Sequence, residues 1–139
     1  MDLQSRINFV AEHLGVSPTE VKNRLDNAKE DKTIPSDKTN IAAHVDFTVL
    51  NANATKADIV TLCQKAKHYH TISVCVNPNR VALCKEELKG SGIKIASVVG
   101  FPLGASTSAA KAFEAHSAVE AGADEIDMVI DIGALIDGD

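Results

Sequence analysis

The chain has 139 residues, 45% of them apolar and 24% charged, with a formal net charge of −5. One domain with enough chain to bury a core is expected at that length, and the acidic balance favours neither nucleic acid nor an anionic membrane as a partner. Three cysteines without CxxC spacing, Cys63, Cys75 and Cys84, argue against a disulfide framework or a zinc site and for a reducing, cytoplasmic setting.

The opening Met1-Asp-Leu-Gln-Ser-Arg has no basic stretch running into an apolar one, so no signal peptide is expected. No apolar run approaches the ~18 to 20 residues of a membrane span. Residues 2–30 predict two short helices. Leu3, Ile7, Val10 and Leu14 recur at helical spacing, and Gly15 suits a helix end. Ser17-Pro18-Thr19-Glu20 then combines an N-cap, a proline at the first helical position and a capping-box glutamate. Residues 29–40 predict a polar linker. The chain is thus expected to divide into an N-terminal helical extension with its linker, 1–40, and an α/β portion, 41–139.

Beyond residue 40 the period changes. β-type runs at about 41–48, 71–77, 93–99 and 125–131 alternate with helical stretches at about 55–68, 79–89 and 107–121. Thr55-Lys-Ala-Asp58 is a capping box, with Ile59, Leu62, Cys63 and Ala66 on one stripe. Asn77-Pro78 can start the next helix, while Gly90 and Gly122 can end theirs. Such spacing fits successive βα units joined by right-handed crossovers.

Four such units fit either a doubly wound sheet or the first half of a (β/α)8 barrel, which needs about 250 residues. Side chains alternate across a strand, so the polarity of each face separates the two. His44, Asp46 and Thr48 share one face of the first strand, against Val45 and Phe47. Thr71, Ser73, Cys75 and Asn77 share one face of the second. Glu125, Asp127 and Asp131 share one face of the fourth, against Ile126, Met128 and Ile130. A doubly wound sheet packs helices on both faces, and polar faces on three strands would be costly there. A barrel turns one face to its axis. The expected fold is therefore α/β, the parallel units of a TIM barrel, about the first four strands only, with an N-terminal helical arm. The third strand is ambiguous, because Ser97 sits among Ile93, Ile95 and Val99.

Asp127, axis-facing by parity and late in its strand, is the strongest catalytic candidate; the plainer alternative is a solvated carboxylate at a loop. A buried carboxylate costs several kcal/mol unless a cation or donors meet it, and a lysine is the expected partner. Asp46 and Thr48 form a similar set, with an ordinary turn-entry Asp and strand Thr as the alternative. His44 fits a packed or loop histidine better than a catalyst. Cys75 lies mid-strand on the polar face, but no base is placed to ionise it, and Cys63 and Cys84 fit a helix core. Gly100-Phe-Pro-Leu-Gly104 predicts a tight loop at the C-terminal rim, where barrels place their chemistry, or else a simple βα turn. It matches neither GxxxxGK[ST] nor GxGxxG. His44, Asp46, Asp127 and Asp131 could hold a metal only without the support of any known ligand spacing. Lys65, Lys67, Lys85, Lys89, Lys94 and Lys111 are all expected on the solvated surface, none as a desolvated nucleophile.

Four motifs then stand in order: Asp46-Phe-Thr-Val-Leu-Asn51, Ser73-Val-Cys-Val-Asn-Pro78, Val98-Val-Gly-Phe-Pro-Leu-Gly-Ala105 and Gly122-Ala-Asp-Glu-Ile-Asp-Met-Val-Ile130. With Lys111-Ala-Phe-Glu-Ala and the closing Gly133-Ala-Leu…Gly138-Asp139, they closely resemble deoxyribose-phosphate aldolase over residues 41–139. The resemblance implies a class I aldolase on a (β/α)8 barrel. Such an enzyme reversibly cleaves 2-deoxyribose 5-phosphate to glyceraldehyde 3-phosphate and acetaldehyde through a lysine Schiff base, with no metal and no cofactor. It implies that Asp127 is the carboxylate assisting proton transfer and that Asp46, Thr48 and Cys75 line the substrate pocket. Phe47 stands where many members carry His, on the helix-facing parity. The implied partner is a small phosphorylated sugar, with neither nucleic acid nor membrane. The family's Schiff-base lysine, second active-site lysine and phosphate loops fall beyond the position matched by Asp139, so these 139 residues alone are expected to be inactive. The competing reading is a non-catalytic half-barrel that binds or assembles. Open strand edges predict a homo-oligomer, through edge pairing or exchange of the helical arm.

Overall fold

The computed structural model describes residues 2–30 and 40–138, so the predicted linker lies mostly outside the described residues. The chain divides into two compact units, Met1–Lys38 and Thr39–Asp139.

In the first unit, Asp2 caps α1 (Leu3–Leu14) by accepting from the Ser5 amide at 2.8 Å, and Gly15 ends it. Ser17 accepts from the Glu20 amide at 3.1 Å and Pro18 opens α2 (Pro18–Glu30). The predicted stripe is only partly used: Ile7 and Ala11 are buried, whereas Leu3, Val10 and Leu14 are exposed. Within this unit α1 has one helix to pack on, and a two-helix contact buries a line of i, i+4 residues rather than a broad stripe.

The second unit alternates β1 (Asp46–Val49), α3 (Lys56–Tyr69), β2 (Ser73–Val76), α4 (Val81–Glu87), β3 (Lys94–Val99), α5 (Ser108–Ala121), β4 (Glu125–Met128) and α6 (Ile132–Asp137). All strand pairs are parallel and the sheet order is β1-β2-β3-β4. A doubly wound sheet reverses its order at a switch point. Here each strand is laid beside the one before it, as in the wall of a barrel.

Cross-strand register sorts the faces. Phe47, Val74 and Ile95 pair across the sheet, as do Val49, Val76 and Ser97. Of these, Phe47, Val49, Val74, Val76 and Ile95 pack with Ile59, Leu62, Cys63 and Ala66 of α3 and Val81 and Cys84 of α4 in one core. Ser97 is fully buried on this helix-facing side, its hydroxyl donating to the Val98 carbonyl at 3.3 Å, which settles the facing of the third strand. Each fully buried aliphatic residue here contributes roughly 1.5–3 kcal/mol. Phe47 packs against the core with its ring edge-on to Tyr69 at 6.4 Å, on the helix side as its parity predicts. The Thr55–Asp58 capping box forms in both directions, at 3.2 and 2.7 Å.

Several element ends differ from expectation. Residues 41–44 form a 3-10 turn closed by the Ala43 amide on the Asn40 carbonyl and the Val45 amide on the Ala42 carbonyl, so β1 starts at Asp46. A second 3-10 turn, Pro78–Arg80, precedes α4. β4 ends at Met128 rather than 131. The unpredicted α6 follows, capped by Asp131, whose carboxylate accepts from the Ala134 amide at 3.1 Å. Among the described residues no helix is long and apolar enough to cross a membrane.

Candidate active site

The other face of the sheet carries the polar residues in tiers set by register. Asp46 pairs with Ser73 and Lys94 in the lowest tier. Thr48, Cys75, Ala96 and Glu125 form the middle tier, and Val98 pairs with Asp127 above. Successive tiers lie two residues, roughly 6.6 Å, apart along the strands. The four expected residues thus share one face. Cys75 lies between two carboxylates, Asp46 from the tier below and Asp127 from the tier above.

Local bonding fixes these groups unequally. Ser73 is fully buried and its hydroxyl donates to the Asp46 carboxylate, tying β2 to β1. Thr48 turns its hydroxyl onto the Asp46 carbonyl at 2.8 Å. Asp46, Thr48 and Asp127 are exposed in this chain, so the expectation of a buried carboxylate does not apply. Cys75 is buried. Burial, then the charges of Asp127 and Asp46, push its thiol up to about 11. At neutral pH it is a protonated, small apolar wall, not a nucleophile. Lys94 and Glu125 form an ion pair of 2.8 Å with both side chains partly solvated, which contributes about 0–1 kcal/mol. That lysine opens β3, at the end of the face remote from Asp127.

Two expectations fail by geometry. His44 is not on a strand; its Nδ1 lies 3.1 Å from the Asn40 carbonyl in the 3-10 turn. Asp131 leaves the acid face to cap α6. Without these two the notional metal set disperses, and among the described residues no group of three His, Cys, Asp or Glu is placed to hold a metal ion.

The rim contains residues that the sequence reading missed. Lys111, expected on the surface, is buried, and its ammonium donates to the Val129 carbonyl at 2.9 Å. Glu114, one turn along α5, accepts from the Gly100 amide at 2.8 Å. The periodicity of α5 could have shown it, because Lys111, Ala115 and Ala118 lie on one stripe. The Gly100–Gly104 loop closes on itself through the Gly104 amide and Gly100 carbonyl at 2.7 Å. It presses so closely on the β4 exit that a Cβ at Gly104 would lie 2.0 Å from the Ile130 carbonyl oxygen. Asn77 and Arg80 brace the β1–α3 loop by donating to the carbonyls of Leu50, at 3.3 Å, and Ala54, at 2.6 Å.

A parallel wall with a carboxylate-flanked thiol on its inner face and a glycine-proline loop at its rim agrees with what the sequence is similar to. Residues 40–139 match the DeoC/LacD family of aldolases. The chain belongs to that family. It is 58% identical over 99 residues to the deoxyribose-phosphate aldolase of Geobacillus sp. (strain WCH70), covering 71% of this chain and 44% of the relative. The enzyme of the same name from Caldicellulosiruptor saccharolyticus is 58% identical over 101 residues, covering 73% and 46%. The chain therefore spans less than half the length of these curated relatives. Among solved structures, the tetrameric deoxyribose phosphate aldolase of Aeropyrum pernix superposes with a TM-score of 0.64 at 32% identity, over 67% of this chain and 40% of that one. An aldolase designated QR15 superposes with a TM-score of 0.66 at 30% identity, over 70% and 43%. The family thus accounts for the barrel wall, four βα units of it.

Proposed function

We propose that residues 41–139 supply the first half of a deoxyribose-phosphate aldolase site, acting in the cytoplasm on a small phosphorylated sugar, with residues 1–40 as a separate helical extension. The observation that carries this reading is the gathering of Asp46, Thr48, Cys75 and Asp127 on one sheet face, with Asp127 at the C-terminal rim. In the proposed reaction a lysine amine adds to the aldehyde of the open-chain sugar and water leaves, giving a Schiff base. The carbon–carbon bond then breaks to release glyceraldehyde 3-phosphate. Protonation and hydrolysis of the remaining enamine yield acetaldehyde. Asp127 carries protons to and from these intermediates and stabilises the lysine ammonium. Asp46 and Thr48 bind hydroxyl groups, and Cys75 shapes the wall.

The inner face offers no nucleophile for this chemistry among the described residues. Lys94 is paired with Glu125 at the remote end, and Lys111 is bonded to a carbonyl beside the rim. These 139 residues, incubated with 2-deoxyribose 5-phosphate and borohydride, should therefore retain their mass. In a complete enzyme carrying this half-site, Asp127→Asn should lower turnover by roughly 10²–10⁴-fold. Near wild-type turnover of that variant would reduce Asp127 to a structural role, and a stoichiometric lysine adduct on the 139-residue chain would overturn the inactivity.

A second proposal concerns assembly. Among the described residues β1 and β4 are the sheet edges, and Met128 at the end of β4 and Ile130, Ile132, Leu135 and Ile136 beyond it are more than half exposed. Unpaired edges beside apolar side chains favour association with another chain, and we propose a homo-oligomer.

A further inference from the structure

Lys111 is a buried lysine with no part in the proposed chemistry. Its stem runs beneath Gly100, where an added Cβ would meet the Lys111 Cε at 3.0 Å, and its ammonium ends on the Val129 carbonyl at 2.9 Å. Val129 is the first residue after β4, and its amide donates to the Val99 carbonyl at 2.9 Å, continuing the β3–β4 ladder by one step. Asp127 lies two residues earlier, paired with Val98. Glu114 holds the Gly100 amide from the same helix. One face of α5 therefore clamps both the end of β3 and the exit of β4.

We propose that Lys111 is a positioning residue, which anchors the β4 exit through Val129 and thereby holds the Asp127 carboxylate on the face it shares with Cys75, one strand removed across β3. An ammonium suits this task because its long apolar stem fills the space under Gly100 while its charged end makes a strong bond to a neutral carbonyl. Among the described residues no hydrogen bond fixes the Asp127 carboxylate, so its place follows from the backbone that carries it. The inference deepens the aldolase reading, but the placement it asserts is independent of turnover.

Cys75 is the reporter. It is buried between Asp46 of β1 and Asp127 of β4, the two charged groups that act on its ionisation. Glu125 stands in the same tier as Cys75, two strands away, and is paired with Lys94 from the tier below. The experiment measures the alkylation rate of Cys75 by iodoacetamide against pH in the full 139-residue chain, resolved by peptide mass spectrometry, with Cys63 and Cys84 as internal comparators. Asp127→Asn removes one charge and lowers the Cys75 midpoint. Lys111→Met keeps the stem and deletes the anchor. It should move the midpoint the same way, with roughly threefold faster alkylation at pH 9 and no more than Asp127→Asn itself produces, because burial and Asp46 still hold the thiol up. Added to Asp127→Asn, Lys111→Met should change nothing further, because it acts through that carboxylate. Lys111→Arg, which retains charge and donors, should restore the parent profile.

An unchanged midpoint in Lys111→Met, or the same shift with Asp127 already removed, would overturn the proposal. So would equal acceleration of Cys63 and Cys84, which would mean general loosening of the fold. If Lys111→Met does not melt cooperatively, Lys111→Gln takes its place in the same comparison. Because nothing here depends on catalysis, failure of the aldolase reading and failure of this inference give different results.

Discussion

Gly104→Ala tests how tightly the rim loop must sit against the β4 exit. A Cβ at this position would lie 2.0 Å from the Ile130 carbonyl oxygen and 3.0 Å from the Val129 Cγ1, and the backbone is left-handed at φ +68°. Ordinary contact begins at 3.4 Å, so backbone must retreat from backbone by about 1.4 Å. No rotamer can relieve this, because the obstacle is a peptide group. The left-handed conformation costs an alanine about 1–2 kcal/mol. Overpacking adds about 1–3 kcal/mol, and weakening the Gly104–Gly100 bond about 1 kcal/mol. The total is about 3–6 kcal/mol, a large part of the roughly 5–15 kcal/mol that keeps a domain folded. Gly90→Ala is the matched control. Gly90 is also left-handed, at φ +76°, but a Cβ there meets nothing within 4 Å. It should lose only the conformational part, about 1–2 kcal/mol. With a urea dependence of about 2 kcal/mol per molar, the unfolding midpoint of Gly104→Ala should fall about 1–2 M below that of Gly90→Ala. Equal midpoints would show that the loop and the β4 exit are not in contact as described.

Two further outcomes are expected. The Cys75 thiol, raised first by burial and then by Asp127 and Asp46, ionises more readily unfolded, near 9, than folded, at about 11. Its contribution to stability is therefore full below pH 9 and is lost as pH rises towards 11, on the order of 2 kcal/mol in all. The stability gap between parent and Cys75→Ala in urea titrations should narrow from pH 8 to pH 10.5, and a constant gap would refute the shift. For assembly, light scattering across a dilution series should reveal dimers or larger species, and a cooperatively melting monomer at micromolar concentration would rule out the open-edge argument.

The inner face was legible in the sequence because side-chain alternation is a property of the extended backbone. Asp46, Thr48, Cys75 and Asp127 needed only parity to fall on one side, and register then confirmed that the sides of neighbouring strands coincide. Parity failed where the strand itself was shorter than its apolar pattern. His44 and Asp131 obey the alternation, yet one lies in a 3-10 turn and the other caps a helix. Strand length is decided by pairing with a neighbour, and short capping bonds win where the neighbour has ended. The burial of Lys111 follows from its helical position, on a stripe with Ala118, and not from its charge.

What the sequence alone determined is therefore local and periodic: helix caps such as Thr55–Asp58, the alternating βα units, and the polar face of the first, second and fourth strands. These depend on bonds and side-chain directions set within a few residues, as do the motifs that carry the family resemblance. What only the tertiary structure decided is where distant segments touch. The sheet order 1-2-3-4, the helix-facing seat of Ser97, the Ser73–Asp46 bond and the reach of Lys111 to Val129 all join residues at least one element apart or depend on what packs over them. Such contacts follow from desolvation and close packing, whose strength depends on every neighbouring surface at once, and no short window of sequence encodes that.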